Sequence, residues 1–202
     1  MVDSKLNTSL FRIMSKVIFI CFLFLSGCVS WRENRVQSVG NFPSNSLNAT
    51  ICVDLKASLK SNGINAVSQE TFSKDNMNKF LNVAKNKGVF KNISSNNKNA
   101  DYILRINYEV ENNGFSGLSI ATLFIVPGTD RFEHTMNMEL IRNKDSKIID
   151  NYTVTEKGQN LYHILLLFAM PFAKSTREIY EASYNDIADN ILERVYTDIS
   201  KN

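Results

Sequence analysis

The chain has 202 residues, with 23 lysines and arginines against 20 aspartates and glutamates, for a formal net charge of +3. That near balance offers nucleic acid or a strongly anionic partner no electrostatic handle. At 44% hydrophobic residues there is material for one packed domain, and too little length for two comfortable ones.

Residues 1–27 read as a leader. Lys5, Arg12 and Lys16 stand against Asp3, and the apolar run Val17-Ile18-Phe19-Ile20-Cys21-Phe22-Leu23-Phe24-Leu25 follows. Its nine residues reach roughly 14 Å as a helix, against a hydrocarbon core of about 30 Å. This is too short to span a bilayer and suits a cleaved signal peptide. Met14-Ser15-Lys16 is itself a suitable beginning, so either Met1 or Met14 opens the leader. The run ends in Leu25-Ser26-Gly27-Cys28, which resembles the lipobox of bacterial lipoproteins at every position.

The resemblance implies cleavage before Cys28, a thioether-linked diacylglycerol on its sulfur and usually an N-acyl chain. Two or three acyl chains hold a protein to a bilayer almost permanently, since each buried methylene contributes about 0.8 kcal/mol. Val29 stands where enterobacterial sorting uses aspartate for inner-membrane retention, which implies the outer membrane, facing the periplasm. The mature chain would then keep 175 residues and a net charge near +1. With Cys28 acylated, Cys52 is left without a partner for an intramolecular disulfide and reads as a small buried hydrophobe.

Residues 28–45 lack a clear period and contain Gly40 and Pro43, so they read as the acylated cysteine and a tether, with a short strand at 35–39. Residues 46–202 read as a single α+β domain. Over 48–61, Ala49, Ile51, Val53 and Leu55 alternate like a strand, whereas Ile51, Cys52, Leu55 and Leu59 line one helical face. The stop signal Ser61-Asn62-Gly63, followed by Ile64-Asn65-Ala66-Val67, favours helix, glycine cap and strand. A second helix is expected over 74–87, capped by Ser73, burying Met77, Phe80, Leu81 and Ala84, and ended by Gly88. The asparagine-rich stretch 92–99 reads as a loop.

Three strands follow. Tyr102, Leu104, Ile106, Tyr108 and Val110 alternate with polar neighbours, as do Phe132, His134, Met136, Met138 and Leu140, and then Ile148, Tyr152 and Val154. Asn143-Lys144-Asp145-Ser146 joins the last two as a hairpin. One greasy and one polar face per strand predicts an antiparallel or mixed sheet covered on one face by helices. A last helix over 177–199 supplies cover through Tyr184, Ile187, Ala188, Ile191, Val195 and Ile199. This order of elements, with the strand start Ala100-Asp101-Tyr102-Ile103-Leu104, resembles several periplasmic lipoprotein domains over residues 46–142. They are transporter-auxiliary lipoproteins, peptidoglycan-synthase activator lipoproteins and the N-terminal domain of the Tol-system propeller protein.

Two short apolar segments, at 117–128 and 161–172, stand outside that pattern, as helical pieces or inserts. Leu118, Ile120, Leu123, Phe124, Ile125 and Val126 together stand to gain about 9–18 kcal/mol from burial, so something must cover them. Either a helix over 161–170 packs on the 118–126 insert, or the segments form an apolar shoulder for lipid or a partner, with Leu118, Ile120, Leu123, Phe124, Leu165, Leu166 and Phe168 as the contact residues.

Chemistry is scarce. His134 and His163 are the two histidines, and no His-x-x-x-His, Cys-x-x-Cys or Glu-x-x-His spacing suggests a metal. No nucleophile elbow or phosphate-cradling glycine loop appears, so no catalytic residue and no cofactor is expected. The polar sheet face, including Arg105, Asn107, Glu109, Thr135, Asn137 and Glu139, is the remaining surface for glycan or protein. These readings predict a membrane-anchored periplasmic lipoprotein with a non-enzymatic accessory or structural role in the cell envelope. The alternative is a regulatory or accessory subunit of a transporter or wall-synthesis complex in or near the same membrane.

Overall fold

The computed structural model describes residues 29–37, 42, 46–114, 117–122, 125–163, 166 and 174–201. The domain is a mixed seven-stranded sheet with two long helices on one face, the α+β arrangement that the alternation called for. The strands are β1 (Val29–Arg32), β2 (Leu47–Ser61), β3 (Ile64–Asn65), β4 (Phe90–Ser94), β5 (Tyr102–Asn113), β6 (Gly128–Arg142) and β7 (Lys147–Tyr162). The helices are α1 (Gln69–Lys87), the five-residue α2 (Gly117–Ala121) and α3 (Thr176–Ser200).

Across the sheet the order is β1-β7-β6-β5-β2-β3, with β4 on the same edge of β2 as β3. β2 runs parallel to β4 and β5, and every other pair is antiparallel. The core lies between the sheet and α1 and α3. Ile51, Val53, Leu104, Ile106, Met136, Met138 and Leu140 meet Phe80, Ala84, Ile187, Ile191 and Val195 there.

The helix expected over 48–61 is instead β2. Ala49, Ile51, Val53, Leu55 and Ala57 all face the core, and a helix would have spread these five around its circumference. Asn62 and Gly63, with φ of 50° and 76°, form the turn of a β2–β3 hairpin, the conformation that Asn-Gly adopts most readily. Helix α1 starts five residues earlier than expected, at Gln69, with Ser68 in the N-cap position. Ser73, the expected cap, instead bonds the backbone of Ala57: its Oγ accepts from the amide at 2.8 Å and donates to the carbonyl at 3.1 Å. Gly88 does end α1, in the left-handed conformation at φ 63°. Part of the stretch read as a loop is β4, whose Ile93 is buried. Helix α3 begins in a capping box between Ser175 and Glu178.

The segment after Cys28 is also corrected. Residues 35–37 carry no strand, whereas Val29–Arg32 form the edge strand β1, paired with the far end of β7. The expected helix over 161–170 gives way at its start, because Leu161 and Tyr162 belong to β7. Gly158 permits the close approach of β1. A Cβ there would run into the Phe132 ring and lie 2.5 Å from the carbonyl oxygen of Trp31. Gly158→Ala is expected to lower stability by about 1–3 kcal/mol or more and to loosen β1 first. Urea unfolding together with faster amide exchange in residues 30–33 would check it.

Candidate functional site

A knob after β5 and the first residues of the second apolar segment, Leu161 and Tyr162, lie at the end of the sheet where β1 begins. Val29 pairs with Leu161, and Leu161 with Thr129, so the three lie in one row within about 10 Å. Thr129 follows the compact knob, formed by α2 and residues 125–127. Within the knob the Ser119 hydroxyl donates to the Pro127 carbonyl at 3.2 Å, and the Ile125 amide to the Thr122 carbonyl at 3.0 Å.

The knob holds its apolar side chains in the open. Leu118 is 62% exposed, Ile120 52% and Ile125 64%, with Val126 at 39%. The burial that one of the two expectations gave these four is not what the described residues show. Leu166 is partly buried. The other expected contact residues, Leu123, Phe124, Leu165 and Phe168, lie outside the described residues, as do Cys28 and the lipobox residues Leu25, Ser26 and Gly27.

Behind this end runs a buried polar network that the alternation pattern did not reveal. Arg32 forms a two-pronged ion pair with Glu156, which is completely buried, and donates to Asp186 of α3 at 2.8 Å. The Val36 amide also donates to Glu156, at 3.1 Å. Burial pulls the Arg32 guanidinium down, but the bonds to Glu156 and Asp186 outweigh it and hold its pKa above the ordinary arginine value. Ser30 donates to Asn160 at 2.7 Å, and Asn160 to Asp130 at 3.3 Å. Burial raises the Asp130 carboxyl, and the bond from Asn160 opposes that rise. Through Ser30 and Arg32, β1 is tied to both the sheet and α3.

A groove of about 770 Å³ opens between α1 and α3 on the helix-bearing face. Its walls include Phe72, Val83, Tyr108, Val110, His134 and Tyr184. Nδ1 of His134 lies 2.8 Å from the Tyr108 hydroxyl, and its Nε2 has no hydrogen-bond partner. Burial, and secondarily the charge of Arg32, lower the His134 pKa to about 4, so the ring is neutral at pH 7. Burial raises the Tyr108 and Tyr184 hydroxyls, which stay protonated. Among the described residues no group of three or more His, Cys, Asp or Glu side chains is placed to hold a metal, and no helix is long and apolar enough to cross a membrane.

The polar face of the sheet is uncovered, as expected, and is laced by cross-strand contacts. Arg105 donates to Glu139 at 3.0 Å and Thr153 to Asn137 at 2.7 Å, which occupies part of its recognition capacity internally.

No family model matches the chain, and no curated protein matches it significantly. Solved structures with a loose likeness include a Xanthomonas campestris protein of the DUF330 family, at 12% identity and a TM-score of 0.46, covering 84% of this chain and 95% of that one. A neuraminyllactose-binding hemagglutinin homolog from Helicobacter pylori aligns at 13% identity and a TM-score of 0.49, covering 84% and 98%. A minor lipoprotein from Acinetobacter baumannii aligns at 17% identity and a TM-score of 0.38, covering 78% and 95%. At these values the likeness assigns neither a shared site nor a function.

Proposed function

We propose that the chain is a bacterial envelope lipoprotein, acylated at Cys28, that holds a non-enzymatic domain against its membrane. The observation that carries this reading is the position of Val29. It is already a paired residue of the sheet, next to the only position of the chain that completes a lipobox. Consecutive Cα atoms are about 3.8 Å apart, so the acylated residue would sit directly on the folded domain. A tether of some 17 residues would have given a reach of about 20–25 Å; β1 removes it. The domain works where its lipid is, with the periplasmic side of the outer membrane as the proposed location.

The same shortness supports the second reading, an accessory subunit of a transporter or wall-synthesis complex. Its partner must lie in or beside that membrane, and the uncovered polar face of the sheet is the surface turned away from the helices. A photo-crosslinker at Asn137 yielding one discrete protein adduct in cells favours the subunit reading.

Radiolabelled palmitate is expected to enter the wild-type protein, and Cys28→Ala to abolish the labelling. The native protein should lack residues 1–27 by mass spectrometry. An unmodified thiol at Cys28, or an intact leader ahead of it, would overturn the proposal.

A further inference from the structure

Exposed large apolar side chains are unevenly distributed over this domain. Among the described residues they are Trp31, Ile64, Val67, Leu118, Ile120, Ile125, Val126 and Ile148. All but Val67, beside β2 near the middle of the sheet, and Ile148 lie toward the end of the sheet from which β1 starts. Ile64 pairs with Ser61, and the row continues through Asn112, Phe132 and Gly158 to Arg32. Trp31 is one row nearer that end, level with Gln159, Arg131 and Asn113. The knob carrying Leu118, Ile120 and Ile125 joins the sheet at Gly128. The opposite end carries Arg142, Lys144, Asp145 and Lys147 around the β6–β7 turn.

The apolar front is also wide. Six strands side by side span about 24 Å at the usual spacing, with β1 at one edge and β3, bearing Ile64, at the other. Scattered apolar residues need no explanation, but a concentration at one end marks a surface that meets something.

We infer that this end of the domain is a lipid-docking foot: the knob and the flanking Trp31 and Ile64 rest in the interfacial layer of the bilayer that holds Cys28. The occupant follows from where the chain enters. Val29 opens the sheet at this end, so acyl chains on Cys28 would bring a bilayer to the apolar front rather than to the charged opposite end. Trp31 stands two residues inside the end of β1, a depth that suits an indole at the headgroup level. This inference rests on the proposed acylation and adds an orientation to it: the strands stand on the membrane instead of swinging freely from it.

Trp31 is the single tryptophan of the chain and therefore reports its own depth. The native acylated protein is reconstituted into phosphatidylethanolamine–phosphatidylglycerol vesicles with or without brominated acyl chains. Brominated lipid is expected to quench Trp31 fluorescence by at least half. Leu118→Glu with Ile125→Glu should cut that quenching at least twofold while palmitate labelling and the thermal transition stay unchanged. Leu118→Ser with Ile125→Ser, a milder pair at the same exposed positions, should give an intermediate value. Quenching that is absent in the acylated wild type, or equal in all three proteins, overturns the foot and leaves the anchor standing. Recovery of the native protein without acyl chains overturns both. A photo-crosslinker at Ile120 that captures one protein, with unquenched Trp31, would put a protein partner on the knob and overturn the lipid assignment.

Discussion

Arg32→Ala is expected to lower stability by about 3–5 kcal/mol, a large share of what a domain of this size possesses. The loss comes from what the arginine leaves behind more than from the contact itself. Glu156 is completely buried and pairs with the Arg32 guanidinium through both carboxylate oxygens, while Asp186 takes a third bond from it at 2.8 Å. Without Arg32 the Glu156 carboxylate keeps only the amide of Val36, at 3.1 Å, as a described donor. An unpaired anion in that position is costly. Glu156→Gln on the Arg32→Ala background should therefore recover part of the loss. Replacing Arg32, Glu156 and Asp186 together with Met, Leu and Leu should recover most of it, since well-packed apolar substitutes for a buried ion network are frequently neutral or better. Urea unfolding at pH 7 measures all three. A single-mutant loss under 1 kcal/mol would show that the network is solvated. Its position gives the effect a functional reach, because Arg32 fastens the strand that follows Cys28 to α3.

How much of this was legible in the sequence depends on how local the cause was. β5, β6 and β7 were readable because one face of the sheet is covered and the other wet, which imposes a two-residue period on each strand. β2 was misread because Ile51, Leu55 and Leu59 satisfy a helical stripe and a strand face at once. The deciding signals were the β-branched Thr50, Ile51 and Val53, and the Asn62-Gly63 pair, which turns a hairpin instead of capping a helix.

β1 left no local signal. Four residues are too few for a period, and their partner lies more than a hundred residues away, at 158–161. The ion network was half visible. Glu156 and Asn160 continue the core-facing phase of Val154, which places an acid and an amide where an apolar residue is expected and so demands distant partners. Which partners answer that demand, only the fold could say. The apolar surplus at 118–126 was plain; its gathering with Trp31 and Ile64 into one front arises from strand register.

Stability is expected to fall by about 3 kcal/mol between pH 7 and pH 4 on account of His134 alone. The ring is 2% exposed, edge-on to Phe132 at 5.4 Å and Tyr180 at 5.0 Å, and its Nε2 has no partner with which to share a positive charge. Burial first, and the Arg32 guanidinium second, lower its pKa from 6.5 to about 4. In the unfolded chain the imidazole takes up its proton near pH 6.5, whereas the folded protein refuses it until about pH 4. Across that window the unfolded state binds more protons, so stability rises with pH. The contribution is fully present above pH 6.5 and is lost progressively down to the folded pKa. At 1.36 kcal/mol per pKa unit, that separation gives the ~3 kcal/mol.

Asp130 acts in the opposite sense, since a carboxyl raised by burial favours the folded state as it protonates, so the total curve mixes the two. His134→Gln isolates the histidine. It keeps a polar group beside Tyr108 and cannot charge, so the difference between wild type and variant should grow from pH 4 to pH 6.5 and be flat above. Urea unfolding at four pH values supplies the difference, and NMR titration of the ring supplies the folded pKa. A parallel pair of curves would mean that water or a proton reaches the ring. The tyrosines over it would then line an open passage into the groove between α1 and α3, contrary to the packing of Phe132 and Tyr180 around an uncharged imidazole.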